Sequence, residues 1–86
     1  MQTEPEIART PKQLGNLIRR ARRNLGLSQT QLGDRTGLRQ ATISEIEAGK
    51  SATRLDSLLK TLATLELEIR IAPRSMTSAS DIEAIF

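Results

Sequence analysis

Glycines spaced eleven and twelve residues apart set the lengths of the helices in the first half of this chain. Gly26, Gly37 and Gly49 each follow a segment whose apolar residues recur with the period of a helix. Because glycine tolerates the left-handed conformation that commonly ends a helix, we expect one helix to stop at each of them. The sequence predicts helices over about 10–25, 28–36 and 39–48.

The first two of these segments also carry a helix-start pattern. Thr10 with Gln13, and Ser28 with Gln31, match the capping box, in which a hydroxyl and a glutamine side chain satisfy free amides of the first turn. The stripe of the first helix that we expect to face the core consists of Leu14, Leu17, Ile18, Ala21 and Leu25. The residues expected to join this core from the next two segments are Leu32, Leu38, Ile43 and Ile46.

The period of the apolar residues changes near residue 66. A fourth helix is predicted from Thr53, its N-cap, to about Leu65, and its apolar residues are Leu55, Leu58, Leu59 and Leu62. A run of alternating apolar and charged residues follows and ends at Pro73, a pattern typical of a half-buried strand. The apolar positions of this strand are Leu67, Ile69 and Ile71. Because the sequence offers it no other strand, we expect it to pair with the same strand of a second chain; an extended tail lying on the helices is the alternative.

The residue types that are missing exclude most kinds of catalytic and metal site. The sequence contains no Cys and no His, which removes disulfides, thiol nucleophiles and the usual zinc ligands. Glu45 and Glu47 would not share a helix face, so they do not form a carboxylate pair. No apolar run approaches the roughly 20 residues of a membrane span, and the N-terminus lacks a signal-peptide pattern. We therefore expect a cytoplasmic chain without catalytic residues, metal, cofactor or small-molecule substrate.

Charge is distributed unevenly along the chain. Residues 1–65 carry a net charge of +5, and residues 66–86 a net charge of −2. A basic body favours a polyanionic partner, although arginines 19, 20 and 23 also fit a solvated basic face. With Phe86 as its single aromatic residue, the chain must build its core from Leu, Ile and Ala, and so small a domain gains buried area by dimerising.

Residues 25–51 combine a capped short helix, a glycine turn, a second helix and a glycine stop. This order predicts a helix-turn-helix, whose second helix enters the major groove of DNA. Small and polar residues of that helix lie opposite Ile43 and Ile46, and a Gln amide there can bind adenine through two atoms. The predicted base contacts are Arg39, Gln40, Ala41 and Ser44, with Gln40 first among them.

Residues 12–66 resemble the phage-repressor-type helix-turn-helix family, the Xre/Cro class. The resemblance rests on Gly-Leu-Ser-Gln at 26–29 and on Leu32, Gly37, Ile43, Ser44, Ile46, Glu47, Gly49 and Lys50. It implies a mostly α, lambda-repressor-like bundle of four to five helices, here followed by a β-strand that pairs across a dimer.

A narrower resemblance rests on residues 40–44, Gln-Ala-Thr-Ile-Ser, on Leu-Glu-Leu at 65–67 and on the strand that follows. These are similar to HipB-type antitoxins. The similarity implies a homodimer at the nucleoid that binds a palindromic operator on double-stranded DNA, represses its own operon and holds a HipA-like Ser/Thr kinase toxin. A stand-alone repressor of the phage or restriction-control type, without a toxin, and a protein-interaction adaptor that has lost DNA binding stay open as alternatives.

The positions of individual residues and, for Gln29, Arg22 and Glu47, the family resemblance suggest further roles. Contacts to the DNA backbone are expected from Gln29, Thr30, Thr42, Lys50 and Ser51. Arg22 and Glu47 match positions that the family often joins by a structural ion pair. The apolar end of the chain, Ile82, Ile85 and Phe86, is a candidate anchor in the toxin because no core is left to bury it. The expected organisation is a flexible arm over 1–9, a DNA-binding domain over 10–66, a dimerisation strand over 67–73 and a flexible tail over 74–86.

Overall fold

The chain folds into a bundle of four α-helices within the residues that its computed structural model describes, 6–50 and 52–74. The helices are α1 (Pro11–Asn24), α2 (Gln29–Thr36), α3 (Gln40–Ala48) and α4 (Leu55–Thr64). Their order and packing confirm the predicted helix-turn-helix bundle, with four helices in this part of the chain. None of these four helices combines the length and apolar character that crossing a membrane requires.

The helix ends follow the local chemistry of the sequence. The Thr10 hydroxyl accepts the Gln13 amide at 3.0 Å and begins α1. At α2 the capping box is complete, because the Ser28 hydroxyl accepts the Gln31 amide at 3.0 Å and the Gln31 side chain accepts the Ser28 amide at 2.8 Å. Gly37 closes α2 with φ +77°, a value that residues with a Cβ rarely adopt. The predicted boundaries of α1 and α2 are correct to within one or two residues.

The prediction that Thr53 caps α4 is wrong. The helix begins two residues later at Leu55, and its N-cap, Arg54, makes no side-chain capping bond. The Thr53 hydroxyl instead donates to the Lys50 carbonyl at 3.1 Å and closes the turn that precedes the helix. A hydroxyl that bonds back along the chain is not available to the first amides of the next helix.

The core is built from aliphatic residues of all four helices and of the α1–α2 loop. Its buried members are Ile18, Leu27, Leu32, Ile43, Ile46, Leu62 and Leu65. Leu25, which was expected in this core, is exposed instead, and so are two leucines of α4. Leu25 is 50% exposed because α1 ends at Asn24 and the chain turns there, while Leu55 and Leu59 lie one turn apart on an uncovered face of α4.

Residues 67–74, which follow α4, form neither a helix nor a strand. Within the described residues, 67–74 pair with no other strand, so pairing with a second chain stays a prediction. Ile69 is half exposed, and Ile71 is 97% exposed. A tail lying on the helices would cover Ile71, so this alternative does not hold at that residue.

Candidate nucleic-acid interface

The turn between α2 and α3 is held by hydrogen bonds from both sides. The Leu38 amide donates to the Gly33 carbonyl at 3.1 Å and to the buried Thr36 hydroxyl at 3.2 Å. That hydroxyl in turn donates to the Leu32 carbonyl at 2.9 Å. A Cβ at Gly33 would lie 2.7 Å from the Leu38 carbonyl oxygen, so the turn packs against α2 as closely as only glycine allows. The start of α3 is therefore fixed relative to α2.

The two faces of α3 have opposite character. Ile43, Ile46 and Glu47 are buried and bind the helix to the rest of the bundle. Arg39, just before the helix, and Gln40 and Ala41 in its first turn are exposed, while Ser44 and Thr42 are half-buried. The predicted base-contact residues thus occupy the outward face or its border, and Gln40 lies outside both the hydrophobic interior and any contact within the core.

A chain of hydrogen bonds connects the outward face of α3 to the interior. The Gln40 Nε2 donates to the Gln29 Oε1 at 2.6 Å, and the Gln29 Nε2 donates to the Glu47 Oε1 at 3.2 Å. Gln29 was expected to bind DNA phosphate, but both the oxygen and the NH2 group of its side-chain amide form hydrogen bonds within the protein. Sequence reasoning missed this link because the two glutamines lie on different helices and no local pattern relates them.

Glu47 is the most constrained ionisable residue of this region. Its side chain is fully buried and accepts Nε of Arg22 at 2.6 Å and Nη2 of Arg22 at 3.0 Å. Arg22 also donates through Nη1 to the Leu27 carbonyl at 2.7 Å, and Arg19 adds a longer contact to Glu47 at 3.4 Å. Burial raises the pKa of the Glu47 carboxyl, but the bonds from Arg22 and Gln29 and the charge of Arg22 outweigh it, so its pKa is lowered. The ion pair clamps α1 to α3.

The remaining residues expected to contact the DNA backbone lie at the edges of this surface. Thr30, in the first turn of α2, and Lys50, two residues after α3, are exposed. Ser51 and the tail residues Ile82, Ile85 and Phe86 lie outside the described residues. Two exposed residues of α3 that the prediction left out, Glu45 and Ala48, lie one helical turn after Ala41 and Ser44. The four-residue spacing from Ala41 and Ser44 could have identified both residues from the sequence. Glu45 adds a carboxylate, which accepts hydrogen bonds, to this face.

No group of three or more acidic side chains is placed to hold a metal ion in residues 6–50 and 52–74. The surface instead offers amide, hydroxyl, guanidinium and ammonium groups around a convex helix. Such a surface fits a groove in a partner molecule.

Comparison with known proteins agrees with this geometry. The model of the helix-turn-helix family matches residues 18–71. Antitoxin HipB of Escherichia coli K12 is 32% identical over 74 residues, which cover 86% of this chain and 84% of that protein. The chain belongs to the HipB-like antitoxins of the helix-turn-helix family. An uncharacterized HTH-type transcriptional regulator of Haemophilus influenzae is 39% identical to this HipB-like chain over 59 residues, 69% of the chain and 60% of the regulator.

Solved structures share the fold of this HipB-like chain. The HipB–O4 20mer complex matches with a TM-score of 0.76 and 31% identity, over 83% of this chain and all of that one. The HipA–HipB–O2–O3 complex matches with the same TM-score, identity and coverage.

Proposed function

We propose that this chain is a dimeric, sequence-specific DNA-binding antitoxin that represses its own operon and binds a HipA-like Ser/Thr kinase toxin. The observation that carries the DNA-binding part is the exposed Gln40 amide, held by Gln29 on a helix whose opposite face is buried. The alternative of an adaptor without DNA binding gives no reason for a base-reading amide to be fixed in this way.

In this proposal α3 lies in the major groove of duplex DNA. The Gln40 Oε1 accepts a hydrogen bond from N6 of an adenine, and the Nε2 hydrogen that is not donated to Gln29 reaches N7 of the same base. The residues proposed to contact neighbouring bases are Arg39, Ala41 and Ser44. The residues proposed to contact phosphates are Thr30, Thr42, Lys50 and Ser51, and Gln29 positions Gln40 rather than acting mainly on phosphate.

The proposed dimer buries the apolar residues that one chain leaves exposed. These residues lie on one face of α4 and on the segment after it: Leu55, Leu59, Leu67, Ile69 and Ile71. Pairing of residues 67–73 across a two-fold axis also satisfies their backbone amides and carbonyls. Two α3 helices could then enter successive major grooves, about 34 Å apart, of a palindromic operator. Ile69→Asp should give a folded monomer in sedimentation, whereas an unchanged dimer would place the interface elsewhere.

DNA reading is tested by two substitutions measured on a set of operators that differ by single base pairs. Gln40→Ala should cost about 1–3 kcal/mol on the preferred operator and relax the preference at one position. Lys50→Ala should weaken binding to every sequence and lower the salt dependence by about one unit per chain. Lys60→Ala, an exposed lysine of α4, is the matched control and should change neither. If Gln40→Ala weakened specific and random DNA equally, Gln40 would not be a base reader.

The toxin partner is supported by the similarity to HipB, which is solved in complex with HipA. We propose that residues 82–86 anchor the toxin and that the helical bundle does not need them to bind DNA. Deleting 75–86 should therefore reduce affinity for the toxin while DNA affinity is unchanged. A stand-alone repressor, favoured by the similarity to HTH-type regulators, would bind DNA in the same way and capture no kinase-like protein encoded beside it.

A further inference from the structure

The ionised carboxylate of Glu47 can only accept hydrogen bonds. It therefore determines which group of Gln29, and in turn which group of Gln40, acts as the donor. Gln29 must turn its NH2 group towards Glu47, as it does at 3.2 Å. The carbonyl oxygen of Gln29 then faces away from Glu47 and towards Gln40. Gln40 can meet that oxygen only with its own NH2 group, at 2.6 Å. The Gln40 carbonyl oxygen takes no part in this bond.

We infer that Glu47, through Gln29, determines which end of the Gln40 amide faces the DNA, and that it is a positioning residue for base specificity. This inference rests on the proposed DNA-binding function. A Gln amide that is free to flip presents either a carbonyl oxygen or an NH2 group at the same place, and these select different bases. With the direction fixed by Glu47, only one of the two orientations meets the groove.

The surroundings of Glu47 keep this starting point constant. Glu47 is 1% exposed, and the two-atom bond from Arg22 holds the plane of its carboxylate. Arg22 is held in turn by the Leu27 carbonyl at 2.7 Å. Glu47 cannot rotate away from Gln29 without breaking the ion pair, so the direction set at the interior is transmitted to the surface.

A purely structural ion pair would make a different prediction. If Glu47 only clamps α1 to α3, its loss should weaken binding to all DNA sequences by the same factor. If it also directs the amides, its loss should change the ratio of affinities for operators that differ at the Gln40 position. A loss of folding stability alone would not change this ratio of affinities.

The first experiment uses the free chain and needs no DNA. The rate at which the Gln40 side-chain amide protons exchange with water is measured by NMR in the wild type, in Glu47→Gln and in Gln29→Met. A neutral amide at 47 can accept or donate, so it no longer fixes the direction, and exchange at Gln40 should be at least about threefold faster in both variants. Glu6→Gln is the matched control, because it removes an exposed carboxylate bonded to Arg20 at 3.0 Å, and it should leave Gln40 unchanged.

The second experiment measures affinity for four operators that carry each base pair in turn at the Gln40 position. The wild type should prefer adenine by about tenfold, within the range for a two-atom contact. Glu47→Gln and Gln29→Met should each reduce this preference to less than about threefold, and the double variant should lower it no further because both act on one chain of bonds. Glu6→Gln should keep the wild-type ratio.

The outcomes separate the inference from the function on which it rests. A folded Glu47→Gln that keeps the tenfold ratio and slow exchange at Gln40 overturns the inference. If Glu47→Gln does not fold, Gln29→Met decides alone, because it leaves the ion pair intact, and an unchanged ratio in that variant is equally fatal. If the wild type binds none of the operators, the proposed function fails, while the NMR comparison still tests the direction set by Glu47.

Discussion

Removing Glu47 should show how much of the stability of the bundle depends on one buried ion pair. Glu47→Leu fills the same space but leaves Nε and Nη2 of Arg22 without an acceptor at a site where Arg22 is only 8% exposed. Breaking a buried pair on one side costs about 3–5 kcal/mol, because the other charge stays desolvated and uncompensated. A chain of 86 residues has a total stability of about 4–13 kcal/mol. The substitution should therefore remove a large share of it.

The partner substitution completes a double-mutant cycle. Arg22→Met leaves the buried carboxylate with the weaker contacts of Arg19 at 3.4 Å and Gln29 at 3.2 Å, and deprives the Leu27 carbonyl of its donor. We expect a loss of similar size, about 3–5 kcal/mol. The double variant leaves no buried charge unpaired, although the Leu27 carbonyl loses its donor and the Gln29 NH2 group and Arg19 lose their acceptor. It should therefore lose about 1–3 kcal/mol, far less than the sum of the single losses.

Urea denaturation followed by circular dichroism measures these differences, at one fixed chain concentration because dimerisation adds to apparent stability. In thermal unfolding, each kcal/mol corresponds to about 4–8 °C for a domain of this size, so the single variants should melt at least about 12 °C lower. Glu6→Leu, which breaks the exposed pair with Arg20, should change stability by less than about 1 kcal/mol. If Glu47→Leu costs no more than Glu6→Leu, or if the double variant is additive, the ion pair does not hold α1 to α3.

Three further outcomes follow from features of the same bundle. The folded pKa of Glu47 is lowered, so the stability that its charge confers is present above the unfolded pKa and is lost as pH falls through the folded pKa. The urea midpoint should therefore fall more steeply between pH 7 and pH 3 in the wild type than in Glu47→Gln. Parallel curves for the two proteins would contradict this. In Gly15→Ala the new Cβ would lie 2.4 Å from the Glu47 carbonyl oxygen. Despite a gain in helix propensity, urea denaturation should show a loss of about 1–2 kcal/mol of stability. The control Asn16→Ala, on the exposed side of α1, should be neutral or slightly stabilising. Ser28→Ala removes the cap of α2 and should cost about 1 kcal/mol; a change below 0.3 kcal/mol on that scale would show that the capping bond contributes little.

The sequence predicted what depends on local chemistry. Ser28, Gln31 and Gly37 act on amides within a few residues of themselves, so the ends of α2 could be located from the pattern alone. Thr53 misled because its hydroxyl had a competing partner, the Lys50 carbonyl, that a cap pattern does not reveal. Leu55 and Leu59 fit the helical period of a core face, but whether a face is covered depends on what packs against it, and one chain supplies nothing there.

The candidate site was predictable at the level of its surface and not of its contacts. Periodicity separated Gln40 and Ala41 from Ile43 on the two faces of α3, and the structure has this division. The contact of Gln29 with Gln40 and Glu47 depends on the angle at which α2 crosses α3, which is set by the close approach at Gly33. This crossing angle results from the packing of the whole bundle. It therefore cannot be predicted from the spacing of residues within either helix.

The division of α3 into an inner and an outer side has a consequence for how such regulators diverge. Ala41 is exposed and Ser44 is half-buried, so the bundle depends little on either side chain. Under the proposed function, exchanging them should change the sequence that is bound while the bundle is preserved. Gln40 is the exception, because its amide is tied to the interior through Gln29. If the gene were duplicated, the two copies should come to bind different DNA sequences first through changes at positions 41 and 44. Position 40, at the start of α3, should change last.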